Sequence, residues 1–198
     1  YMRQINVTPR IGPGLIDARG VAISRQLKMD HNIEFGSIRT TIGYLIKGDL
    51  SLKNIEHSVT ELFSDPIIED VTIDKPPSFP SSPELTILVG FRPGVTDNRA
   101  QAALDGLRTL FPNNLNIQVS TTISYHFWEV PSTLDIRWLL AQLHNSLIER
   151  VRFVDRTKEP NSSFPSLDFP IQPDLEQTLP LVINLEVSDK ELIKISEA

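Results

Sequence analysis

One pattern occurs twice in this chain, in the same order. PGLIDARGVA, which carries Pro13, Gly14, Asp17, Arg19 and Ala22, returns as PGVTDNRAQA with Pro93, Gly94, Asp97, Arg99 and Ala102, an offset of 94 − 14 = 80. IRTTIGY from Ile38 to Tyr44 returns as VSTTISY from Val119 to Tyr125, offset 125 − 44 = 81, and Ile68, Glu69 and Val71 return as Ile148, Glu149 and Val151 at 80. Ordered anchors at near-constant spacing read as a tandem duplication. What one copy forms the other must form too, and any function has to be sought in what two fused copies can do.

Proline marks the boundaries. Nine of the 15 prolines fall in two places: Pro76, Pro77, Pro80 and Pro83, then Pro160, Pro165, Pro170, Pro173 and Pro180. Proline fixes φ and removes a donor, so such clusters read as extended connectors. The expected division is a first copy over residues 1–75, a linker over 76–83, a second copy over 84–156, a connector over 157–180 and a further segment over 181–198.

Within each copy the hydrophobic period alternates between two and 3.6. Ile5 and Val7, and Leu85, Ile87, Val89 and Phe91 in the second copy, have the alternation of a half-buried strand. A Pro-Gly turn follows, then a helix that Asp17 or Asp97 can cap by accepting first-turn amides. Ala100, Ala103, Leu104, Leu107 and Phe111 form its apolar stripe in copy two, and Val21, Ala22, Ile23 and Leu27 a less regular one in copy one. A long strand comes next, with Ile38, Thr40, Ile42, Tyr44 and Ile46 on one face, as Val119, Thr121, Ile123, Tyr125 and Phe127 are. Gly43 allows either one bent strand or a hairpin. A second helix is expected around Ile55, Val59, Leu62 and Phe63, and around Ile136, Leu139, Leu140, Leu143 and Leu147. Strands near Val71 and Val151 close the copies. The expected class is α+β: two split-βαβ, ferredoxin-like modules, antiparallel sheets with helices on one face, related by a pseudo-two-fold axis.

Composition narrows the chemistry. A net charge of −6 without a basic block argues against nucleic acid, whose binding draws on clustered Lys and Arg. The absence of cysteine removes thiolate catalysis and Cys-ligated metals. No apolar run reaches the roughly 18 residues of a membrane span, and the expected setting is cytoplasmic with no membrane partner.

The candidate residues divide into two groups. Gly14, Asp17, Gly20, Gly94 and Asp97 form a repeated turn that is either an anion site at a helix N-terminus or a structural cap. The Asp side chains would occupy the amides an anion needs, which favours the cap. Gly20, matched by Ala100, suggests close helix–strand approach. On the polar faces of the long strands, Arg39, His126 and Trp128 stand among hydroxyls, either as a solvated face or as a surface for a protein partner. His31, His57, His126 and His144 lack metal-ligand spacing, so no metal site is expected. No serine has a nucleophile-elbow context, and no catalytic or cofactor-binding residue is expected.

VTPRIGPGLIDARGVAISRQL resembles the start of the PurS proteins, the small subunit of phosphoribosylformylglycinamidine synthase. ELFSDPIIEDVTID, residues 61–74, looks like the end of that module. The resemblance covers about residues 3–75, and 84–155 through the repeat. LPLVINLEVSDKELIKISEA, with Ser188 as a helix cap, resembles the linker that leads from a fused pair of such modules to the ATP-binding synthetase region of the large-chain (PurL) enzyme. The chain therefore reads as the N-terminal part of a longer polypeptide. The resemblance implies a non-catalytic scaffold between synthetase and glutaminase. ATP and magnesium would belong to the full-length enzyme, which makes formylglycinamidine ribonucleotide in purine biosynthesis. The chain departs from the family where Thr40, Thr41, Ile42 and Gly43 replace a basic Gly-Lys on the middle strand, with Arg39 retained, and where Ala100 replaces Gly20. A regulatory module binding small effectors between its copies is the alternative class.

Overall fold

Strand, helix, strand, helix, strand is built twice along the chain. In the computed structural model, which describes residues 1–114 and 116–171, the first half contains β1 (Met2–Pro9), α1 (Ala18–His31), β2 (Ser37–Lys47), α2 (Leu52–Ser58) and β3 (Glu69–Ile73). The second contains β4 (Leu85–Phe91), α3 (Asn98–Leu110), β5 (Gln118–Trp128), α4 (Ile136–Leu143) and β6 (Glu149–Asp155). The Ser188 cap and the segment 181–198 lie outside the described residues. No helix among the described residues is long and apolar enough to cross a membrane.

The turns begin as the sequence leads one to expect. Gly14 at φ 77° and Gly94 at φ 82° adopt the left-handed geometry that a side chain disfavours, and each releases the chain into a helix. Asp17 and Asp97 cap α1 and α3 through the amides of Gly20 and Ala100. Ser51 caps α2 and Asp135 caps α4. The second helices are shorter than their apolar spacing suggests. After Ser58 the chain opens into a π-helical turn over Val59–Phe63, and α4 ends before His144, leaving Leu147 in a turn at 83% exposure.

Among the described residues all strand pairing is antiparallel, in a six-stranded sheet of order β3-β1-β2-β5-β4-β6. Where two sheets were expected there is one. β2 and β5 are both long, and pairing them from Ser37↔Trp128 to Lys47↔Gln118 removes two exposed edges at once. Ile42 pairs with Ile123 at the middle of this register. Gly43 lies inside one continuous strand and not in a hairpin, and it makes room there, because a Cβ would lie 2.3 Å from Thr122 Oγ1.

The helices cover one sheet face, but each core is assembled from both halves. Leu27 of α1 packs in a cluster with Leu85, Ile87 and Val89 of β4, Phe127 of β5 and Leu139 of α4. Leu107 of α3 packs with Ile5 and Val7 of β1, Ile46 of β2 and Ile55 of α2. Aromatic contacts follow the same crossing: His31 meets Trp138 at 4.6 Å and His57 meets Phe111 at 6.2 Å. α1 also lies on its own β2 and α3 on its own β5, but the clusters that bury Leu27 and Leu107 extend onto the strands of the other half, so the hydrophobic gain of about 1.5–3 kcal/mol per large buried side chain is shared across the pair.

Candidate functional site

Asp17 does more than cap. Its carboxylate accepts from Gly20 N at 2.8 Å, from Thr40 N at 2.5 Å and from Thr40 Oγ1 at 3.0 Å, so one buried side chain ties the start of α1 to the middle of β2. Asp97 repeats the arrangement with Ala100 N at 2.8 Å, Thr121 N at 2.7 Å and Thr121 Oγ1 at 2.9 Å. Charge-assisted bonds of this kind are the stronger class, and they use the donors that an anion at the helix N-terminus would require. The turn residues are therefore structural. Gly14 and Gly94 have no atom within 4 Å of a would-be Cβ, so backbone conformation is what requires them, whereas a Cβ on Gly20 would lie 2.2 Å from the Ile38 carbonyl oxygen.

A second repeated device closes each half. Asp65 and Asn145 accept from Ile67 N and Leu147 N, while Glu69 and Glu149 reach back to Asp65 N and Asn145 N. Arg10 and Arg92 brace these turns by donating to the carbonyls of Pro66 and of Ser146 and Glu149. The two arginines sit 82 residues apart (92 − 10), off the main repeat offset, which hides the match in the sequence.

The polar sheet face carries Arg39, His126 and Trp128, and the structure brings the three together. They do not form an open surface. Phe79, from the linker, lies 4.6 Å from the His126 ring and 5.2 Å from Trp128, with the Arg39 guanidinium 5.1 Å from its centroid. Phe164, from the connector, approaches His126 at 5.8 Å. Trp128 Nε1 donates to the Ser81 carbonyl at 3.3 Å, and Leu167 is buried next to Gly90. His126 is 0% exposed, which corrects its expected place on a partner surface; Trp128 and Arg39 are half-buried. The hydroxyl face reads as solvated because its cover comes from segments without period. A signal was present all the same: Ser-Phe-Pro-Ser occurs at residues 78–81 and again at 163–166.

His126 Nε2 is 3.1 Å from Thr41 Oγ1, and Nδ1 is 3.4 Å from Thr86 Oγ1. A hydroxyl against an imidazole is the pairing of a nucleophile and its base. Burial, reinforced by the positive charges of Arg39 and Arg156, pushes His126 down to about 3. At neutral pH it is uncharged and a weak base, and neither it nor Thr41 is reached by solvent. The pair joins β2, β4 and β5; it is not a catalytic dyad. Burial also lowers the pKa of Arg39, against the charges of Asp17 and Asp70 that raise it. Arg39 donates to the Pro9 carbonyl, and its buried Nε has no partner among the described residues.

No family model matches the chain, and no curated protein matches it.

Proposed function

We propose that the chain is a duplicated module acting as a non-catalytic docking scaffold, the N-terminal PurS-like part of a phosphoribosylformylglycinamidine synthase. The single observation that carries the reading is the crossing of the cores: α1 completes the cluster over β4 and β5, and α3 the one over β1 and β2. A lone module with that architecture would cover its first helix only in part, on its own long strand, and would have to pair with a second copy to complete the cluster. Two such copies in one chain form a fused dimer, which avoids an association cost of at least several kcal/mol. Further support comes from Ile42, which pairs with the residue 81 positions on (123 − 42), as a pseudo-two-fold axis through the β2–β5 ladder requires. The matched Asp17/Asp97 clamps and closing turns support duplication independently of the sheet.

In this reading chemistry belongs elsewhere in the enzyme. ATP and magnesium belong to the synthetase region, ammonia comes from the glutaminase, and the present chain holds the two in register in the cytoplasm. Fusion lets the two copies diverge, so each can face a different partner. The test is co-elution of this chain with separately prepared synthetase and glutaminase regions. A stoichiometric complex is expected; independent elution, or full synthase activity without residues 1–180, refutes the proposal.

A further inference from the structure

An open cleft of about 700 Å³ lies between α3, the ends of β2 and β5, and residues 169–171. Lys47, Arg92 and Arg108 line it. Asp97 also lines it, but both of its carboxylate oxygens already accept from Ala100 and Thr121. Among the described residues neither Lys47 nor Arg108 takes part in a salt bridge. In a chain with 25 acidic and 19 basic residues, gathering cations around one cleft runs against the overall balance. Like charges that share one cleft attract an anion into it.

The other half differs at the matching positions, and this comparison rests on the duplication proposed above but not on the enzyme assignment. Lys28 of α1 occupies the place of Arg108 (108 − 28 = 80), and there it is neutralised. It forms a salt bridge with Glu34, and Glu129 lines the same cleft. The counterpart of Glu34 is Asn114 at an offset of 80, or Leu115 at 81, and neither is charged. The counterpart of Glu129 is Gly48 (129 − 48 = 81), and Lys47 stands where the other half has Trp128 (128 − 47 = 81). The cleft beside α3 thus has the cation without the two carboxylates, and it carries a second cation, Lys47, at the position matched by Trp128.

We propose that this cleft binds an organic phosphate. A phosphate dianion, with its double charge, suits a cleft lined by Lys47 and Arg108 better than a carboxylate does, and the planar Arg108 guanidinium suits bidentate contact with it. Phe91, Leu104 and Phe169 offer apolar surface beside the cations, and the volume falls in the range of small-molecule sites, about 300–1,000 Å³.

Calorimetric titration of the full chain with adenosine 5′-monophosphate, inorganic phosphate and adenosine tests it. The monophosphate should bind, inorganic phosphate more weakly, and adenosine not measurably, with affinity falling as salt screens the cations. The double variant Lys47→Gln, Arg108→Gln should weaken monophosphate binding about tenfold or more, since each charge-assisted bond contributes on that order. Asn114→Glu, which restores the carboxylate of the other half, should weaken it similarly while the melting temperature stays unchanged. Absence of binding by both phosphate probes overturns the inference, as does binding that is indifferent to both variants. Co-elution with synthetase and glutaminase is scored separately, so either proposal can fail alone.

Discussion

Replacing Gly20 with alanine sets two effects of opposite sign against each other. In a helix interior alanine is favoured over glycine by about 0.5–1 kcal/mol, so helix propensity alone predicts stabilisation. The structure predicts the reverse. The new Cβ would lie 2.2 Å from the Ile38 carbonyl oxygen and 3.0 Å from its carbon, both backbone atoms that cannot rotate away. Carbon–oxygen contacts normally begin near 3.3 Å, so the start of α1 must retreat from β2 by about 1 Å. Overpacking of this kind costs about 1–3 kcal/mol. The retreat also stretches the bonds by which Asp17 holds Gly20 N, Thr40 N and Thr40 Oγ1, and a weakened cap adds about 1 kcal/mol. Net destabilisation of about 2 kcal/mol should lower the melting temperature by about 4–8 °C for a chain of this size. Urea denaturation followed by circular dichroism measures it. Ala100→Gly is the control, since the second half already accommodates a Cβ there, and it should cost about 1 kcal/mol. A Gly20→Ala protein as stable as the parent would refute the close-approach argument.

Two other predictions concern the cores and the polar face. Leu107→Ala should cost about 2–5 kcal/mol, and because Leu107 packs on β1 and β2, amide exchange should accelerate first at Ile5, Val7 and Ile46 rather than at Ile87; the opposite order would contradict the crossing. His126 is neutral in the folded chain and titrates near 6.5 when unfolded, so the unfolded state binds the extra proton as pH falls from 6.5 toward 3. Stability should therefore drop by about 2 kcal/mol between pH 7 and pH 5, and His126→Gln should remove most of that slope; an unchanged slope in the variant would show that His126 is not its source.

The parts legible in the sequence were those decided locally. Asp17 and Asp97 announce caps by position, Gly20 against Ala100 announces a tight approach, and alternation places β1, β2, β4 and β5. What the sequence hid was partnership. The stripe of α3 identifies Leu107 as buried without saying that it lies on the strands of the first half, because periodicity specifies a face and not what covers it. The same gap misplaced His126. Serines and threonines around it read as a wetted surface, while the residues that bury it, Phe79 and Phe164, sit in proline-rich segments where no period points inward. Leu147 extended the apolar spacing of α4 by one further step, yet the helix ends before His144 and the asparagine turn at Asn145 takes over.

Sedimentation of residues 84–198 prepared alone tests the fused-dimer account most directly. Without α1, the cluster over β4 and β5 lacks Leu27, and α3 has no β1 or β2 on which to bury Leu107. The account predicts a fragment that either self-associates or unfolds without a cooperative transition, and that recovers a cooperative transition when residues 1–83 are added. A cooperatively folded monomer of residues 84–198 would contradict it.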